Sequence, residues 1–144
     1  MHTWFETGIK YDKVHEDGNV VKVNQLFMVD ALSHTEAEAR IIEEMRPFIS
    51  GEFLVSKIVR KNINEIFYNE NGDKWYRAKI NFVALDEEKG VEKRTAVTML
   101  VQASTLKEAV DGLIKGMSGT MADYEIHTVA ETQILDIFKF EAEK

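Results

Sequence analysis

The chain has 144 residues, 44% of them hydrophobic and 30% charged, an ordinary globular composition with enough apolar mass for a compact core. Its formal net charge of −7 works against non-specific binding to DNA, RNA or anionic lipid, because the average field repels phosphate. It has no cysteine, which excludes disulfides and thiolate metal sites and fits a reducing cytoplasm.

The start, Met1-His-Thr-Trp-Phe-Glu6, has no basic stretch followed by an apolar run, so no signal peptide is expected. No run of about 18 apolar residues occurs, so neither a membrane-spanning helix nor a membrane partner is expected. Trp4 to Tyr11 alternates, with Phe5, Thr7, Ile9 and Tyr11 on one side, which predicts a strand. Asp17-Gly18 predicts a turn, and the valine-rich Val20 to Ala31 a second strand. Ser33-His-Thr-Glu36 reads as a capping box opening a helix that carries Ala37, Ile41, Ile42 and Met45. Pro47, the only proline, closes that helix. Phe53 to Arg60 and Ile63 to Tyr68 predict two further strands. Asn71-Gly72-Asp73 is a hairpin signal leading into the strand Trp75 to Leu85. Arg94 to Gln102 follows after a loop through Gly90. Thr105-Leu-Lys-Glu108 is a second capping box, and its helix carries Leu106, Ala109, Val110, Leu113, Ile114 and Met117. Gly116-Met-Ser-Gly119 reads as a glycine stop for this helix. Tyr124 to Glu131 and Ile134 to Phe140 complete the strands.

These elements are one pattern written twice. Trp4-Phe5 recurs as Trp75-Tyr76, an offset of 71; Val29-Asp30-Ala31 recurs as Val101-Gln102-Ala103, an offset of 72; Ile63-Phe67 recurs as Ile134-Phe138, again 71. The predicted fold is α+β: a duplicated β-β-α-β unit with a short extra strand, its antiparallel sheets each covered by one helix on the Phe5/Ile9 and Tyr76/Ile80 faces. Repeat 1 spans residues 1–70 and repeat 2 residues 71–144, fused as one pseudo-twofold domain over 1–144, because a lone core of about 70 residues is marginal. The last strand of repeat 1 is expected to pair with the strand starting at Trp75, and Phe138 to Phe140 with the strand starting at Trp4.

No catalytic constellation stands out. The four histidines, His2, His15, His34 and His127, lack the helical spacing of a metal pair, and no metal or cofactor is expected. Ser118 lacks the strand that a nucleophile elbow needs, and Gly116 to Thr120 lacks the lysine and spacing of a phosphate loop. Glu52 and Asp123 occupy matching places in the two repeats; converging carboxylates would suit a hydrolase, whereas separate ones are solvated turn residues. Trp4 and Trp75 also match, on the strand faces opposite the expected cores, with Lys10, Arg77 and Lys79 in the same alternation. Such a face can stack bases and hold phosphates; equally, each tryptophan can pack as core. Leu26, Met28, Ala96 and Leu100 make those faces partly apolar, so they want a cover: the other half, a sister subunit or a partner protein.

Thr3-Trp-Phe-Glu6, Val29-Asp-Ala-Leu-Ser-His-Thr-Glu-Ala-Glu-Ala-Arg40, Ile49-Ser-Gly-Glu-Phe53 and Gly119-Thr-Met-Ala-Asp-Tyr124 resemble a domain-of-unknown-function family of small proteins in Bacteroidales bacteria and their phages. The resemblance spans nearly the whole chain and assigns no functional residue. It implies a bacterial, phage or mobile-element protein of the cytosol. Three functions follow as expectations. The first is a non-catalytic module that binds itself as a homo-oligomer or binds a protein partner. The second is a nucleotide or single-stranded nucleic-acid binder using Trp4, Lys10, Trp75, Arg77 and Lys79. The third is a hydrolase-like enzyme around Glu52 and Asp123.

Overall fold

A computed structural model describes residues 3–140. Its elements are β1 (Thr3–Val14), β2 (Val20–Ala31), α1 (His34–Met45), β3 (Phe53–Lys61), β4 (Glu65–Phe67), β5 (Lys74–Asp86), β6 (Val91–Ala103), α2 (Leu106–Gly116), β7 (Asp123–Glu131) and β8 (Ile134–Phe138). They form the predicted α+β duplication: two four-stranded sheets, ordered β3-β1-β2-β8 and β4-β6-β5-β7, each packed on one helix. By contacts the chain divides into two compact units. One takes the chain up to Lys61 and from Gln133 onward; the other is Asn62–Thr132.

Each unit is organised on a long hairpin. The β1–β2 register runs from Thr3↔Ala31 to Val14↔Val20, and β5–β6 from Lys74↔Ala103 to Asp86↔Val91. Gly18 and Gly90, in the two connections, are the only described residues with positive φ, a conformation that a Cβ would strain. The period-2 pattern then sets the cores. In the first unit Phe5, Ile9, Phe27 and Val29 meet Ala37, Ile41 and Met45 of α1. In the second, Tyr76, Ala78, Ile80, Met99 and Val101 meet Ala109, Leu113 and Met117 of α2. Burying one such large side chain contributes roughly 1.5–3 kcal/mol. Thr7 lies in the same buried stripe and satisfies its hydroxyl by donating to the Phe27 carbonyl at 2.9 Å.

Both helices begin as expected. Ser33 Oγ accepts from the Glu36 N–H, and Thr105 Oγ1 from the Glu108 N–H. The glutamates reach one residue beyond the cap, accepting from Leu32 N–H and Ser104 N–H. Antiparallel β3 and β7 flank β1 and β5, each with a register shift at the equivalent place, Gly8/Ile9 and Lys79/Ile80.

The short strands depart from expectation. β4 pairs with β6, not β5, and β8 pairs with β2, not β1; both pairings are parallel. The reason is occupancy: β1 and β5 already have neighbours on both sides, so only the outer edges of β2 and β6 can accept a strand. Asn71-Gly72 is therefore not a hairpin. It belongs to a connection that passes over the end of β6 to reach β5, where Gln102 Nε2 donates to the Gly72 carbonyl and Ser104 Oγ to the Asn71 carbonyl. A Cβ on Gly72 would lie 2.6 Å from the Ala103 backbone, so close approach demands this glycine. Gly116 also serves packing and not a left-handed stop: α2 ends in right-handed geometry at Met117, and a Cβ on Gly116 would strike the Phe67 ring.

Gly72→Ala is expected to destabilise the protein by about 1–3 kcal/mol through this overpacking. Gly51→Ala, where a Cβ meets nothing within 4 Å, should change little. Urea denaturation of both variants checks the contrast.

Candidate functional site

Each sheet ends on one side in a long strand, β3 or β7, nine residues each, with no described strand beyond it. An edge strand turns alternate N–H and C=O groups outward, ready to pair. Phe53, Val55 and Ile58 of β3 pack toward the core, whereas Leu54 is 70% exposed and Val59 41% exposed. Two hollows share Glu52, Phe53 and Leu54 at the start of β3. One, of about 520 Å³, extends over Lys10, Tyr11, Lys22 and Asn24; the other, of about 550 Å³, extends to Glu38, Ile42 and Arg46 on α1.

The two edges carry opposite charge. β3 bears Lys57, Arg60 and Lys61 and no acid; β7 bears Asp123, Glu125 and Glu131 and no lysine or arginine. Part of this is compensated locally: Lys57 Nζ lies 2.5 Å from Glu6, Lys74 3.7 Å from Glu131, and Arg94 Nε 2.8 Å from Glu125. The hydrogen bond and charge of Arg94 hold the Glu125 carboxyl below its ordinary pKa, and the hydrogen bond and charge of Glu125 raise the pKa of Arg94 in return.

The aromatic and basic residues singled out from sequence are placed as follows. Trp4 is 9% exposed and Trp75 3%, so neither ring presents a free face to a base; both are core. Tyr68 meets Trp75 edge-on at 5.6 Å. Lys10, Arg77 and Lys79 are exposed, but Lys10 and Trp4 belong to one unit and Trp75, Arg77 and Lys79 to the other. Met28 and Leu100 are also buried, with Ile137 and Ile66 as lateral neighbours. Glu52 and Asp123 are both exposed and lie in different units. Ser118 is exposed in the turn after α2, its N–H donating to the Lys115 carbonyl. His34 is exposed and packs its ring edge on Phe5; His15 and His127 are exposed; His2 lies outside the described residues. No group of three or more metal-ligating side chains occurs among the described residues.

One polar arrangement escapes a residue-by-residue reading. In the first unit Asp30 Oδ1 accepts from the Phe140 N–H at 2.6 Å. Arg40 donates to the Asp30 carbonyl, lies 3.8 Å from the Asp30 carboxylate and 2.8 Å from Glu36, and covers the Phe140 ring. In the second unit Gln102 Oε1 accepts from the Asn69 N–H at 2.9 Å. Asn69 is the repeat equivalent of Phe140, and Gly112 that of Arg40. A carboxylate only accepts, so it gains from a cation beside it; an amide brings its own donor and does without. Where the first unit has Arg40 and Phe140, the second has a hollow of about 540 Å³ lined by Tyr68, Asn69, Gln102, Gly112 and Lys115. The repeat offset pairs Asp30 with Gln102 and so carried the signal.

A family model describing a domain of unknown function matches residues 3–140. The chain belongs to the DUF4494 family. Comparison with curated proteins finds no match. The family has no assigned activity, so the edge strands and hollows carry the functional reading.

Because Trp75 is core, Trp75→Ala is expected to cost about 3–5 kcal/mol of stability. Urea unfolding measures it; a variant of unchanged stability would show that the ring is not packed as described.

Proposed function

We propose that this chain is a non-catalytic protein-interaction module that binds through its open sheet edges, β3 above all. The observation that carries the reading is the nine-residue edge strand with Leu54 exposed between two hollows. Strand addition supplies affinity through main-chain hydrogen bonds, and flanking pockets select side chains. Here the pairing groups of β3 and the hollows beside it supply those two elements in one place. A nucleic-acid reading has the exposed Lys10, Arg77 and Lys79 in its favour, but it lacks a stacking platform while the tryptophans are buried. The exposed carboxylates Glu52 and Asp123 give no such focus to an enzyme.

The setting we propose is the cytosol of a bacterium or its phage, on the resemblance to Bacteroidales and phage proteins and the lack of cysteine. No helix is long and apolar enough to cross a membrane. We also read the chain as one folding domain, because β4, from the end of the first repeat, completes the sheet of the second, and β8, from the end of the second, completes that of the first.

Two measurements test these readings. Leu54→Asp is expected to keep the wild-type circular dichroism and to lose about tenfold or more in binding to whatever protein the wild type captures; equal capture would overturn the edge-strand reading. Calorimetry is expected to show one cooperative transition, and two separable transitions would mean two domains.

A further inference from the structure

We propose that the occupant of the β3 edge is a second copy of this chain, presenting its β7 edge. The inference rests on the edge-strand reading and names its partner. β3 and β7 are the same element of the repeat. They have the same length, nine residues, and each follows a register shift at the equivalent position of its neighbour. Their backbones are therefore matched in extent and bend.

Charge then selects among the possible pairings. In a fully overlapped antiparallel pair, β3 against β3 would set Lys57 opposite its own copy, and β7 against β7 would set Asp123 opposite Glu131 at both ends. Like charges directly opposite destabilise a strand pair, and opposite charges stabilise it. Only β3 against β7 joins unlike edges. In an antiparallel pair of full overlap, Lys61 stands opposite Asp123 and diagonal to Glu125, and exposed Leu54 is covered beside Ala130. Lys57 and Glu125 already have partners in Glu6 and Arg94, so the discriminating contact is that of Lys61 with Asp123, while Arg60 lies on the other face of the sheet over the Phe5 ring. Exposed ion pairs of that kind add little stability singly, but they set which edge is accepted. A pair joined by such a contact keeps one β3 on one molecule and one β7 on the other, so association runs head to tail and extends past a dimer unless it closes into a ring.

The test is sedimentation velocity of the full chain over a concentration series at low salt. Wild type is expected to form larger species as concentration rises. Lys61→Glu and Asp123→Lys/Glu125→Lys are each expected to weaken association by about tenfold or more. An equimolar mixture of the two variants is expected to recover it, since one supplies an intact β7 and the other an intact β3. A variant that had merely misfolded would not be rescued by mixing. The proposal is overturned if wild type stays monomeric throughout, if the mixture does not recover, or if the β7 variant alone associates like wild type. A monomeric wild type whose capture of another protein still falls with Leu54→Asp would sink self-pairing and leave the edge-strand reading standing. Loss of both effects would sink both.

Discussion

The structure turns on the outer edges of β2 and β6, which their own hairpins and the flanking β3 and β7 leave without a neighbour. A three-stranded arrangement of hairpin plus β3 or β7 covers only one side of the hairpin. The other side would leave the backbone polar groups of a strand that carries Met28 and Val29, or Leu100 and Val101, without partners. Each repeat meets this need with a short parallel strand taken from the end of the other. Several details follow from that choice. The connection from β4 must cross the end of β6, so position 72 is glycine. Phe67 must settle on α2, so position 116 is glycine. The residue two beyond each short strand docks its N–H on the side chain at position 30 or 102.

Those two docking points show how the copies have diverged without losing the interaction. Asp30 and Gln102 accept the same kind of N–H at the same place of the repeat. The carboxylate came with Arg40 and the amide with Gly112, each substitution consistent with the donor inventory of its partner. A consequence is that the second unit has an open hollow at a place where the first has a guanidinium over an aromatic ring.

The repeat, the two capping boxes and the alternation of Phe5, Ile9, Tyr76 and Ile80 were legible in the sequence because each rests on spacing along one element. Helix positions, core faces and the bounds of β2 follow from them. The partners of β4 and β8 were not legible. Asn71-Gly72 is a local signal for a hairpin, and whether the following strand is vacant depends on β7, more than 50 residues further on. Likewise Trp4 and Trp75 alternate away from the helices, and periodicity gives their direction without telling whether that side is covered. The opposite charge of β3 and β7 was present in the sequence, but its meaning needed both strands to be edges.

The order in which the elements meet the ribosome gives the strand exchange a temporal side. The second unit is one continuous stretch, Asn62–Thr132, and its sheet can close before Ile134–Phe138 have emerged. The first unit holds β1, β2, α1 and β3 from the outset, yet its fourth strand is encoded at Ile134–Phe138. During synthesis β2 therefore keeps an open flank until Ile134–Phe138 leave the exit tunnel. The half made first is the half finished last, and a nascent chain truncated before Ile134 has a complete second sheet and an incomplete first one.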